Sequence, residues 1–138
     1  MNSTNNFQTF ASIDGNNVSG FFLQYCASCG RFAFSALASD NSSATSTRAM
    51  ANATPTTGTW YHLVGVYDAG AKNISLYVNG ALQQTVSYMT AWRAPLHTVI
   101  GRGKFNGTGA DFVSGAIDDV WMFNRVLSQQ EINALADQ

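Results

Sequence analysis

Ile74-Ser75-Leu76-Tyr77-Val78-Asn79-Gly80-Ala81-Leu82-Gln83-Gln84-Thr85-Val86 decides the fold class. Ile74, Leu76 and Val78 alternate with polar or amphipathic neighbours, the period of a half-buried strand. Asn79-Gly80 follows at once. That dipeptide supplies positive φ at both central positions of a type I′ turn, whose twist suits two antiparallel strands, and Leu82–Val86 reads as the returning strand. Upstream, Trp60-Tyr61-His62-Leu63-Val64-Gly65-Val66-Tyr67-Asp68 is apolar on both faces and is expected to be a central strand of nine residues. Ala69–Asn73 turns it into Ile74.

The same pattern spreads in both directions. Phe7–Ile13 alternates and is closed by the turn Asp14-Gly15-Asn16-Asn17. Phe21–Tyr25 and Arg31–Leu37 flank Cys26-Ala27-Ser28-Cys29-Gly30 as a hairpin. Ser39–Thr47 reads as a polar loop into a short strand near Arg48-Ala49-Met50, and Thr54–Gly58 as another turn. Beyond Val86 the chain is expected to be irregular from 88 to 107, around Trp92 and Pro95, apart from a strand at Thr98–Gly101. A last strand is expected over Phe112–Phe123. Only the end is helical: Ser128-Gln129-Gln130-Glu131 is a capping box, with Leu127 and Ile132 placed to form its hydrophobic staple. Ile132, Leu135 and Ala136 share the face expected to meet the protein body. The expectation is a single all-β domain over 1–138, an antiparallel β-sandwich or jelly roll with a short C-terminal helix.

Composition narrows the chemistry. The 138 residues are 46% apolar and only 11% charged, with net charge −1. A basic nucleic-acid surface is excluded. No apolar run reaches the roughly 18 residues of a membrane span. Met1–Asn6 lacks the basic and apolar stretches of a signal peptide, yet the Ser/Thr/Asn/Gln-rich surface is that of an extracellular or cell-surface protein. Asn-x-Ser/Thr sequons at Asn2, Asn17, Asn41, Asn52, Asn73 and Asn106 follow from that composition or mark glycan sites.

Titratable groups are few. Seven acids are Asp, and the lone glutamate, Glu131, is committed to the helix cap. Asp118 and Asp119 are adjacent on an expected strand, so they point to opposite faces and cannot act together on one bond. His62 and His97 are the only candidate bases, and no Gly-x-Ser-x-Gly elbow accompanies them. His62 alternates with Trp60 and Val64 and reads as a packed, hydrogen-bonded core histidine. Cys26-x-x-Cys29 tips a hairpin instead of opening a helix, which argues against a redox pair. Two cysteines with two distant histidines make a poor zinc set. A small disulfide or two free thiols remain.

Thr57–Asp68, Leu76-Tyr77-Val78-Asn79-Gly80 and Gly115-Ala116-Ile117-Asp118-Asp119-Val120-Trp121-Met122-Phe123-Asn124-Arg125-Val126-Leu127-Ser128 together resemble the laminin G-like domains of the concanavalin A-like lectin/glucanase superfamily. The resemblance implies a lectin-like jelly roll, a non-catalytic module that binds carbohydrate and tethers an attached enzyme or cell surface to a glycan. It also implies first strands that this chain lacks, hence an uncovered sheet edge and a possible homodimer through it. Asp118 or Asp119 would hold a structural calcium, or simply cap the strand. Glycosidases of the superfamily carry paired glutamates on one strand, and this chain has no such pair, so no catalytic residue is expected. A protein–protein or adhesion module using the same face is the alternative.

For carbohydrate, aromatic faces pack on sugar C–H groups while charged and amide groups read hydroxyls. Trp121 and Phe123 share one face of the expected last strand with Asp119, and the resembled family commonly has a polar residue at the position of Trp121. Trp121 and Trp92 are thus the expected stacking residues, with Phe123 beside them and Arg93, Arg102 and Asn106 as polar partners.

Overall fold

A computed structural model describes residues 1–138. It contains β1 (Gln8–Asp14), β2 (Ser19–Cys26), β3 (Arg31–Leu37), β4 (Ser46–Met50), β5 (Leu63–Asp68), β6 (Asn73–Val78), β7 (Ala81–Ser87), β8 (Thr98–Ile100), β9 (Gly103–Phe105), β10 (Thr108–Ala110) and α1 (Gln129–Ala136). A five-stranded sheet in the order β4-β3-β2-β1-β8 faces a three-stranded sheet, β5-β6-β7, and β9-β10 is a separate two-stranded ribbon. Every pairing is antiparallel. This is the all-β sandwich that the alternation requires.

The core lies between the two sheets. On the larger sheet Tyr25, Phe32, Phe34, Ala36 and Ala49 face Ile74 and Leu76 of β6 and Tyr88, all buried. Side chains such as Ile74 and Leu76 each contribute about 1.5–3 kcal/mol by leaving water. Gly65 lets β5 come close, since a Cβ there would lie 2.6 Å from the Phe34 ring. The Asn79-Gly80 turn has φ of 51° and 81°, both positive as a type I′ turn requires. Asn79 also clasps the chain entering β5, because the His62 amide donates to its Oδ1 at 2.9 Å.

α1 carries the full capping box: the Glu131 amide donates to Ser128 Oγ and the Ser128 amide to Glu131 Oε2. Leu127 and Ile132, on either side of the cap, are both buried. The helix seats on the β6–β7 turn, where Gln129 Nε2 donates to the Gly80 carbonyl.

Three expectations are corrected. The strand over Trp60–Asp68 is shorter, begins at Leu63 and lies at a sheet edge, because β5 pairs only with β6. Its apolarity on both faces therefore does not mark a central strand, and Trp60 is 67% exposed. The segment 88–107 is less irregular than expected. Beside β8 it holds β9 and the Asn106-Gly107 turn to β10, with φ of 51° and 77°. Those strands have three residues each, too short to show alternation. Finally, no strand forms over Phe112–Phe123. Residues 115–127 make no backbone–backbone hydrogen bond and join no sheet edge, so the alternation of Val120, Trp121, Met122 and Phe123 is not used by a ladder.

Candidate functional site

β-Strand alternation sends every second side chain of the larger sheet away from the core. On that outer face Phe22 and Gln24 of β2, Ser35 and Leu37 of β3, and Ser46 and Arg48 of β4 stand together. Phe22 pairs with Ser35 across β2–β3, and Ser35 pairs with Arg48 across β3–β4, so the three form one cross-strand row. The β9–β10 ribbon folds over one side. Gly103 makes that close approach possible, since a Cβ there would meet the Phe22 ring at 2.9 Å and Thr9 Oγ1 at 3.1 Å. The β3–β4 loop forms the opposing wall.

Side-chain bonds to backbone fix both walls. The Lys104 amide donates to Ser19 Oγ and the Asn106 amide to Ser42 Oγ, joining ribbon to sheet and loop. Asp40, in the loop, accepts the backbone amides of Asn16, Asn17 and Val18 at 2.8 Å each. Burial works to raise its carboxyl, but those bonds and the Lys104 charge outweigh it and hold Asp40 below the ordinary range. Arg102 pairs with buried Asp14 through both guanidinium nitrogens, at 3.1 and 2.9 Å.

The walls enclose a cavity of about 370 Å³ lined by Phe7, Phe22, Leu37, Ala44, Phe105 and Ala110, with Gln24, Ser35, Ser42, Ser46, Arg48 and Asp111 as its polar groups. Gln24 Nε2 donates to Ser35 Oγ at 2.8 Å, deep in the floor. The Thr9 hydroxyl lies 3.4 Å from both Gln24 Oε1 and Asp111 Oδ2. Its single hydrogen can serve only one of them. Burial, larger than the Thr9 bond, pushes the Asp111 carboxyl up. Arg48 is the only cation lining the cavity, and its buried Nε has no hydrogen-bond partner.

The residues expected to bind ligand are dispersed. Trp92 is half-buried against the Val18, Phe22 and Leu37 cluster, and its Nε1 donates to the Leu37 carbonyl at 2.9 Å. It packs at one end of the sandwich and lines a second, apolar cavity of about 320 Å³ between the sheets, with Arg93 nearby. Arg102 is engaged by Asp14 and the Gly103 carbonyl. Asn106 occupies the tip of the ribbon turn. Trp121 and Phe123, 62% and 46% exposed, stand on the unpaired 115–127 segment and line neither cavity.

Sequence reasoning missed Gln24, Ser35, Arg48 and Asp111. The available signal was Arg48 alternating with Ser46 beside a polar loop, together with the second Asn-Gly dipeptide at 106–107.

Asp118 and Asp119 are exposed, and the Asp119 amide donates to Asp118 Oδ1. No group of three or more His, Cys, Asp or Glu side chains gathers around them. Cys26 and Cys29 are joined by a disulfide with Cα atoms 5.2 Å apart. The reading of His62 as hydrogen-bonded in the core is corrected: its ring is partly buried, Nδ1 has no partner, and burial lowers its pKa.

Comparison with solved structures finds the same architecture in the carbohydrate-binding module CBM40 of the Ruminococcus gnavus IT-sialidase. The match has TM-score 0.71 at 18% identity and covers 97% of this chain and 76% of that one. The same module bound to α2,3-sialyllactose aligns with TM-score 0.74 at 19% identity, over 97% and 76% of the two chains. Bound to α2,6-sialyllactose it gives 0.73 at 18% identity, over 97% and 77%. Comparison with curated protein sequences finds no match. The model of a laminin G family described as the concanavalin A-like lectin/glucanases superfamily matches residues 1–133, and the chain belongs to that family.

Proposed function

We propose that the chain is a non-catalytic carbohydrate-binding module whose ligand seats in the cavity on the outer face of the five-stranded sheet. One observation carries the reading. The cavity combines apolar and aromatic walls with a few convergent polar groups, among them a guanidinium with a buried, unpartnered N–H. Ligand sites are built that way, and the walls are held by the fold instead of being assembled on binding. The similar R. gnavus module, with sialyllactose bound in two of its structures, supports an oligosaccharide as the ligand class.

The cavity's single acid, Asp111, supports binding without turnover, because glycoside hydrolysis ordinarily uses two flanking carboxyl groups. Glu131 is held instead by Arg125 and the Ser128 cap. The module would tether whatever it is joined to near a glycan surface and so raise effective concentration. The Cys26–Cys29 disulfide supports an extracellular or cell-surface setting, where such bonds persist.

A glycan array probed with the intact chain, followed by titration calorimetry on the hits, tests this reading. Binding is expected without release of sugar on prolonged incubation. An array with no hits, or hydrolysis of a bound glycan, overturns it.

A further inference from the structure

The polar groups of the cavity are unevenly distributed, and the imbalance bears on ligand class. On the β4 side the groups are donors. Arg48 presents its unpartnered Nε and the rest of its guanidinium. Ser35, its cross-strand neighbour, accepts from Gln24 Nε2, which leaves its hydroxyl hydrogen free to donate. Ser42 accepts from the Asn106 amide and has the same freedom. No carboxylate stands on this side to neutralise Arg48, and the chain's two ion pairs, Arg102–Asp14 and Arg125–Glu131, do not involve it. A buried N–H without an acceptor costs free energy, and a ligand atom that accepts from it recovers that cost.

The β1 side has the opposite need. Asp111 Oδ2 and Gln24 Oε1 compete for one Thr9 hydrogen, so one acceptor is left short of a donor. β1 and β4 are three strand spacings apart, roughly 14 Å between backbones, and both sets of side chains line the cavity that Phe22 also lines. The cavity of about 370 Å³ has room for a sugar ring between them.

We propose that the cavity selects a sugar bearing a carboxylate, with the carboxylate on Arg48 and Ser35 and a ring hydroxyl or amide N–H directed to Asp111. This rests on the carbohydrate-binding reading and assigns polarity to that site. A guanidinium offers a carboxylate two parallel N–H donors, Nε with one Nη, a geometry that lysine's point charge does not reproduce. Phe22 and Phe105 then meet the C–H face of the ring.

The test uses the intact chain and three kinds of probe: oligosaccharides ended by a hexuronic or nonulosonic acid, the methyl esters of the same compounds, and their neutral counterparts. The acids are expected to bind at least tenfold more tightly than esters or neutral sugars. Arg48→Gln should remove that preference, Arg48→Lys should restore only part of it, and Ser35→Ala should weaken acid binding by a smaller factor. Thermal melting of each variant separates lost recognition from lost folding, and Arg48 lies on an edge strand where substitution leaves the core in place. Equal binding of acid and ester, or unchanged acid binding by a folded Arg48→Gln protein, overturns the proposal. Binding of neutral sugars alone also overturns it while sparing the carbohydrate reading, and binding of no sugar removes both.

Discussion

The outer face of the five-stranded sheet and the 115–127 segment both carry aromatic and charged side chains, yet the first lines the larger cavity described above and the second lines neither of the two. Around Phe22 and Arg48 each wall is pinned by the backbone. β9–β10 is tied to Ser19 and Ser42, and the β3–β4 loop is tied through Asp40 to three amides of the β1–β2 turn. Around Trp121 nothing comparable exists, because no backbone group from 115 to 127 pairs with another backbone group. An exposed indole becomes part of a site when the fold fixes its neighbours. Chain entropy otherwise has to be lost at the moment of binding.

The largest effect that could break this contrast is at Phe22, which is buried at the base of the cavity. Phe22→Ala should cost about 3–5 kcal/mol, visible in chemical denaturation, and should abolish glycan retention in affinity electrophoresis. Retention by a folded Phe22→Ala protein would place the site elsewhere.

Gly103→Ala comes next. The added methyl would meet the Phe22 ring at 2.9 Å, so the ribbon must lift. Overpacking of this kind costs about 1–3 kcal/mol. Glycan affinity should fall while the melting of α1 is unaffected, and an unchanged affinity would mean that the ribbon is not a wall of the site.

Acid separates the two regions more gently. Glu131 is pulled down from 4.5 to about 2, first by the Arg125 hydrogen bond and then by the Ser128 amide. Its carboxyl is depressed in the folded protein, so its stabilising contribution is present above 4.5 and is lost as pH falls through about 2. Hydrogen exchange should show α1 fraying over that window before the sheets open. High salt should reduce the effect, since the Arg125–Glu131 pair is exposed.

The smallest effect is expected at the residue most conspicuous in the sequence. Trp121→Ala should change stability by no more than about 0.5 kcal/mol and leave glycan binding intact by calorimetry. A loss of binding there would return the site to the terminal segment.

The extent to which the sequence was legible follows from how local each signal is. Alternation over Ile74–Val78 and the Asn79-Gly80 dipeptide read correctly because a type I′ hairpin is specified within a dozen residues. The capping box read correctly for the same reason, its four residues touching one another. Trp60–Asp68 misled because an edge strand and a central strand share one composition when both faces meet apolar neighbours. Among the expected ligand residues, the Trp92 indole nitrogen is bonded to the Leu37 carbonyl, 55 residues away in sequence, a contact no local pattern reveals. The pairing of Arg102 with Asp14 is equally invisible locally, since the two lie 88 residues apart.

By itself, then, the sequence determined an all-β chain with its hairpins, its helix cap and its shortage of catalytic carboxylates. These depend on residue type and on spacings of a few residues. Only the tertiary structure decided which polar groups are bonded within the fold and which line the cavity on the outer face. Arg102 and the indole nitrogen of Trp92 are bonded within the fold. Arg48, Ser35 and Asp111 come from β4, β3 and the end of the ribbon, and they converge only because β2, β3 and β4 pair in register and the separate ribbon folds over them.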